Sequence, residues 1–112
     1  MLSIGTQRLF QYSGPADLRR GFDGLSALVQ EAFPGELLSG ALFIFVNRRR
    51  NRMKVLCWDS DGFALYYKRL EQGTFRVSWN GHVQLTRREF SLLLEGVVPR
   101  RLYRRYELPK ES

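Results

Sequence analysis

The sequence predicts an α+β fold: a single domain with a mostly antiparallel four- or five-stranded sheet packed with two helices. Three observations point there. Apolar runs of strand length recur between residues 41 and 68, separated by short polar breaks. A stripe at helical spacing precedes them. A segment with a helix-capping signature follows them.

The elements follow in chain order. Residues 8–12 read as a weak first strand, which Ser13-Gly14-Pro15 breaks. Pro15 fits a first helical position, with Asp17 placed favourably in the first turn. Leu18, Phe22, Leu25, Val29 and Ala32 then share one helical face, which Leu28 widens. The spacing predicts a helix over about 16–33, ended by Pro34-Gly35. Gly21 and Gly24 weaken that helix by about 1 kcal/mol each relative to alanine. They fit equally a close approach to another backbone or a short turn before the helix proper.

A meander comes next. Ala41 to Val46 is apolar throughout, Met53 to Trp58 is apolar-rich, and Phe63 to Lys68 follows the Asp61-Gly62 turn signal. Phe75 to Trp79 alternates apolar and polar, and Asn80-Gly81 turns it into His82 to Leu85. Thr86-Arg87-Arg88-Glu89 is a capping box, with Leu85 and Phe90 as a hydrophobic staple. The last helix is predicted over Arg87 to Glu95, burying Phe90, Leu93 and Leu94, with Gly96 as its stop. Residues 1–98 thus form the domain, and 99–112 a basic, flexible tail.

Composition narrows the function. The chain has 112 residues, 44% of them hydrophobic, enough for one core. Its formal charge is +7 and its sequence pI is about 10.2, a balance that favours a polyanionic partner. Cys57 is the single cysteine, so no internal disulfide forms. The N-terminal residues lack the basic-then-apolar pattern of a signal peptide, and no apolar run reaches the length of a membrane span. The expected location is the cytoplasm.

Catalytic signatures are missing. His82 follows a glycine turn and reads as a solvated turn residue. No Cys/His spacing suits zinc, and no glycine-rich phosphate loop occurs. Asp59, Asp61 and Glu71 form the one acidic set with the numbers for a metal nuclease. Asp-Ser-Asp-Gly is first a turn sequence, however, because aspartates bond their own backbone there. No catalytic residue, metal or cofactor is therefore assigned.

The basic clusters carry more. Arg48, Arg49, Arg50 and Arg52 crowd one break between strands, and Lys54 follows. They cannot all be buried, and a planar guanidinium fork suits phosphate. Arg87 and Arg88 open the last helix, where a helix start favours anions over cations. Arg100, Arg101, Arg104 and Arg105 flank Tyr103 and Tyr106, a mix suited to phosphate contact plus base stacking. All eleven basic residues are candidate nucleic-acid contacts. A separate reading comes from the central strand: Phe43 and Phe45 share one face, while Leu42, Ile44 and Val46 share the other. Either the two helices cover opposite faces, or one face awaits a protein partner or a second copy.

Six blocks occur in order: Asp17 to Leu25, Leu42 to Phe45, Arg48-Arg49, Trp58 to Phe63, Tyr67 to Phe75 and Leu92 to Gly96. Together they resemble the small TnpB (second open reading frame) accessory protein of IS66-type bacterial insertion sequences, over roughly residues 4–98. This is not the larger RNA-guided nuclease that shares the TnpB name. The resemblance implies a non-catalytic role in transposition beside a separately encoded transposase. The expected partners are DNA and that transposase, with self-association left open. Asn51 departs from the resemblance, standing where an acid or glycine is expected, which leaves the turn type open.

Overall fold

The computed structural model describes residues 5–95. Five strands and two helices occur in the order β1 (Leu9–Gln11), α1 (Phe22–Ala32), β2 (Leu42–Val46), β3 (Arg52–Asp59), β4 (Gly62–Arg69), β5 (Val83–Leu85) and α2 (Arg87–Glu95). They build one sheet in the order β4-β3-β2-β1-β5. Three neighbouring pairs are antiparallel. The β1–β2 pair is parallel, so the sheet is mixed. A parallel pair needs a crossover, and the segment containing α1 is that crossover.

The central strand explains the layering. All five residues of β2 are buried. Leu42, Ile44 and Val46 face one core with Leu9, Met53, Val55, Phe75, Val77, Phe90 and Leu93. Phe43 and Phe45 face the second, with Leu25, Val29, Phe33 and Leu56. A strand covered on both sides reads as a continuous apolar run, not an alternation. Helix α1 covers the Phe43 face, while α2 and the 75–79 segment cover the other. Phe43 and Phe45 are fully buried, so the aromatic face proposed for a partner is already occupied by the chain's own helix.

Helix α1 is shorter than its spacing predicts. It starts at Phe22 with the extended Gly21 as its N-cap, so Gly21 closes a preceding turn and does not sit inside the helix. Residues 12–21 run as an irregular strap, and Ala16 N–H donates to the Val46 carbonyl at 2.9 Å. Phe22 leaves the expected stripe and is exposed, whereas Leu25 and Val29 are fully buried. A Cβ at Gly24 would meet the Arg20 side chain, not another backbone.

The 75–79 segment also departs from expectation. It alternates, with Phe75 and Val77 buried, but it joins no sheet ladder. β5 pairs with the free side of β1. Gln11, buried on β1, holds the segment by donating from Nε2 to the Ser78 carbonyl at 2.7 Å. The β3–β4 turn is Ser60-Asp61, one residue earlier than the signal, with Ser60 left-handed at φ 59°.

Helix α2 matches its predicted bounds. Thr86 N–H donates to Glu89 Oε1 at 2.8 Å, and Glu89 N–H donates to Thr86 Oγ1 at 3.1 Å. Replacing Thr86 by alanine is expected to lower stability by about 1 kcal/mol, read as a shift in the urea midpoint with an unchanged slope. Among the described residues, no helix is long and apolar enough to cross a membrane.

Candidate nucleic-acid interface

The loop between β2 and β3 is five residues, Asn47 to Asn51, and its conformation is over-determined. Asn47 Oδ1 accepts from the Asn51 and Arg52 amides, both at 3.0 Å. Asn47 Nδ2 donates to Asn51 Oδ1 at 2.8 Å. Arg50 takes the left-handed conformation at φ 61°. Its carbonyl accepts from Phe75 N–H, and the Asn51 carbonyl accepts from Leu70 N–H. The paired asparagines therefore set the turn that the sequence left open. Side-chain amides closing on nearby backbone are what asparagine does in turns. The result is a rigid platform for the neighbouring arginines.

The structure sorts the arginine cluster into two groups. Arg48, Arg49 and Arg52 line a cleft of about 370 Å³ with Asp17, Leu18, Arg19, Asn51 and Tyr67. Arg50 is elsewhere: its guanidinium lies 4.8 Å from the Trp79 ring centroid. Lys54 stands between roles, donating from Nζ to the Arg20 carbonyl at 3.1 Å and lying 5.5 Å from the Tyr67 ring centroid. Arg19, Asp17 and Tyr67 complete the cleft but were not chosen from the sequence. The strap that carries two of them reaches the loop only through the tertiary fold.

Electrostatics leaves this cleft short of negative charge. Among the described residues, the ion pairs are Arg8–Glu36, Arg19–Asp17 and Arg69–Glu71. None involves Arg48, Arg49, Arg50 or Arg52. In the β3–β4 register Arg52 stands directly opposite Arg69, and like charges so placed destabilise a sheet. Lys54 and Tyr67 are the next partners on the same face. Four guanidinium groups (Arg19, Arg48, Arg49, Arg52) thus line the cleft with one carboxylate, Asp17.

Asp17 is tightly held by Arg19. The Arg19 guanidinium, and then its backbone N–H, bond the carboxylate and lower its pKa from 3.8 to about 2. A depressed carboxylate stabilises the fold above its ordinary pKa, and that contribution disappears as pH falls through about 2. The pair is solvent-exposed, so the stability effect is small. Its negative charge also opposes an anion entering the cleft. Asp17→Asn is expected to raise affinity for a polyanion about two- to fivefold, measured by fluorescence anisotropy at constant salt.

The remaining candidates lie apart. Leu85 pairs with Leu9, which pairs with Leu42, at the opposite end of β2 from Val46 and the loop. Arg87 and Arg88, exposed just beyond Leu85, are a separate patch. Arg100, Arg101, Arg104 and Arg105, with Tyr103 and Tyr106, lie outside the described residues. Asp59 precedes the β3–β4 turn and Asp61 lies in it, while Glu71 follows the far end of the eight-residue β4. That separation is about 23 Å, so the three cannot share a metal.

His82 is exposed in the 80–82 bend, as the sequence suggested, and it also makes contacts that the sequence did not show. Its Nδ1 accepts from Ser13 N–H at 2.8 Å, and its ring packs on Tyr12 and Phe33. It ties the start of β5 to the end of β1. Cys57 is half-buried, beside a larger open groove of about 850 Å³ lined also by Trp58, Leu65 and Tyr66. Burial, then Asp59, pushes its thiol pKa up, which disfavours the nucleophilic thiolate.

Comparison with known proteins places the chain in a family. The family described as IS66 Orf2 like protein matches residues 7–104. The uncharacterized protein y4jC of Sinorhizobium fredii is 36% identical over 92 residues, covering 80% of this chain and 79% of its own length. The uncharacterized protein y4hO of the same organism is 34% identical over 92 residues, covering 80% of each chain. No solved structure matches. The family suggests an accessory role in transposition. A match from residue 7 to residue 104 spans all the elements just described, including both walls of the arginine cleft, and the chain belongs to the IS66 Orf2-like (TnpB) family.

Proposed function

We propose that this protein is a non-catalytic nucleic-acid-binding factor of IS66-type transposition, engaging DNA phosphates through the cleft of Arg48, Arg49, Arg52 and Arg19. One observation carries the reading. Three exposed guanidinium groups of the β2–β3 loop and the start of β3 have no acidic partner among the described residues, on a loop that hydrogen bonds hold rigid. A phosphate oxygen supplies the missing acceptor, and a rigid tip loses little entropy on binding. Lys54 and Arg69 extend the positive face along β3 and β4. Phosphate contact positions a protein on DNA without reading its bases. The element's own transposase is the partner that such a factor would place on DNA.

The test is a salt titration of binding to labelled duplex DNA. About four to six phosphate contacts give a log–log slope near −4 to −5. A flat titration rejects the proposal. Binding to transposase that persists at high salt without DNA would favour an adaptor instead. Its surface would then lie elsewhere than Phe43 and Phe45, which are buried.

A further inference from the structure

We infer that the arginine cleft takes an unpaired nucleotide, with the base stacked on Tyr67 and its phosphates held by Arg48, Arg49 and Arg52. This deepens the reading above and rests on it. Tyr67 is 48% exposed, one of four exposed large hydrophobic side chains among the described residues. It is also the aromatic residue that lines the arginine cleft. Its place is fixed by the β3–β4 register, which sets it opposite Lys54 and two residues from the Arg52–Arg69 pair.

The chemistry of that juxtaposition is specific. A ring beside several guanidinium groups offers a nucleotide both a stacking surface and phosphate donors. Duplex DNA can use only the donors, because its base faces are already stacked on each other. Only an unpaired or flipped-out base presents a free face to a tyrosine. Lys54 Nζ lies over one face of the ring, 5.5 Å from its centroid, so the base would take the other face. The cleft, at about 370 Å³, falls at the small end of the range for ligand sites. One nucleotide is therefore the fitting unit, with the strand continuing along the basic face of β3 and β4.

The experiment compares the full chain with its Tyr67→Ala and Tyr67→Phe variants on an oligo(dT) strand and on a duplex of equal length. Stacking one base is worth about 5- to 150-fold in affinity. The expected result is tighter binding of the strand than the duplex by the wild type. Tyr67→Ala should lose about tenfold or more on the strand and several-fold less on the duplex. Tyr67→Phe should retain both. Equal loss on both probes, or no loss on the strand, overturns the inference. Failure of the wild type to bind either probe would instead reject the phosphate-binding reading beneath it.

Discussion

Replacing Arg48, Arg49 and Arg52 together by alanine is expected to cut duplex DNA affinity by roughly 500-fold at 0.1 M salt. The figure follows from counterion release. Each phosphate contact adds about −0.9 to the log–log slope, so three contacts are worth about 10 to the power 2.7 between 1 M and 0.1 M salt. The fold should survive the change. None of the three forms an ion pair among the described residues, and removing Arg52 relieves its opposition to Arg69. Arg50 makes the informative contrast. Its guanidinium lies over the Trp79 ring, a contact the cleft does not use. Arg50→Ala should therefore change stability more than DNA affinity. Circular dichroism melts and anisotropy on the same preparations separate the two effects.

Phe45→Ala is expected to destabilise the domain by about 3–5 kcal/mol, a large fraction of the stability of a domain this size. Phe45 is fully buried at the sheet centre, and its ring lies 5.3 Å from that of Tyr12. It pairs with Lys54 across the β2–β3 ladder, just inside the arginine loop. The variant should therefore lose the sheet and DNA binding together. A urea unfolding curve checks this: a midpoint near that of the wild type would contradict the assigned core. Phe22→Ala is the control on the same side of the sheet. Phe22 is 45% exposed, so its loss should be small.

Much of the fold was legible because local signals and tertiary packing agreed. The Thr86–Glu89 capping box fixed α2 at its first residue, since both bonds lie within four residues of chain. The continuous apolar run of β2 marked a strand apolar on both faces and left open what covers them; the chain's own elements cover both. What escaped the sequence was non-local. The parallel β1–β2 pairing depends on a crossover, which no local pattern encodes. The strand-like alternation of Phe75 and Val77 reflects a half-buried cover over the core, not a ladder. Period two reports which side is buried, not where the backbone hydrogen bonds go. The helical stripe overran α1 because Leu18 is half-buried from an irregular strap, and burial alone imitates periodicity.

The candidate site was legible in the same uneven way. The Arg48 to Arg52 cluster stood out by its density, and its exposure is what that density demands. The division of labour within it did not stand out. Arg50 and Arg49 are equivalent as sequence, yet the left-handed turn at Arg50 sends one toward Trp79 and leaves the other in the cleft. Asp17, Arg19 and Tyr67 come from segments some thirty residues before and twenty after the loop, and only the fold assembles them. Asn47 was the one local signal overlooked. An asparagine at each end of a five-residue loop is a hydrogen-bonding staple readable without a structure.

The central claim is that the loop arginines contact phosphate directly. It is tested by measuring the salt dependence of duplex binding for the wild type and for the Arg48→Ala, Arg49→Ala, Arg52→Ala triple variant side by side. The account predicts that the variant's log–log slope is shallower by about 3. A slope unchanged by the three substitutions would place the phosphate contacts elsewhere and contradict it.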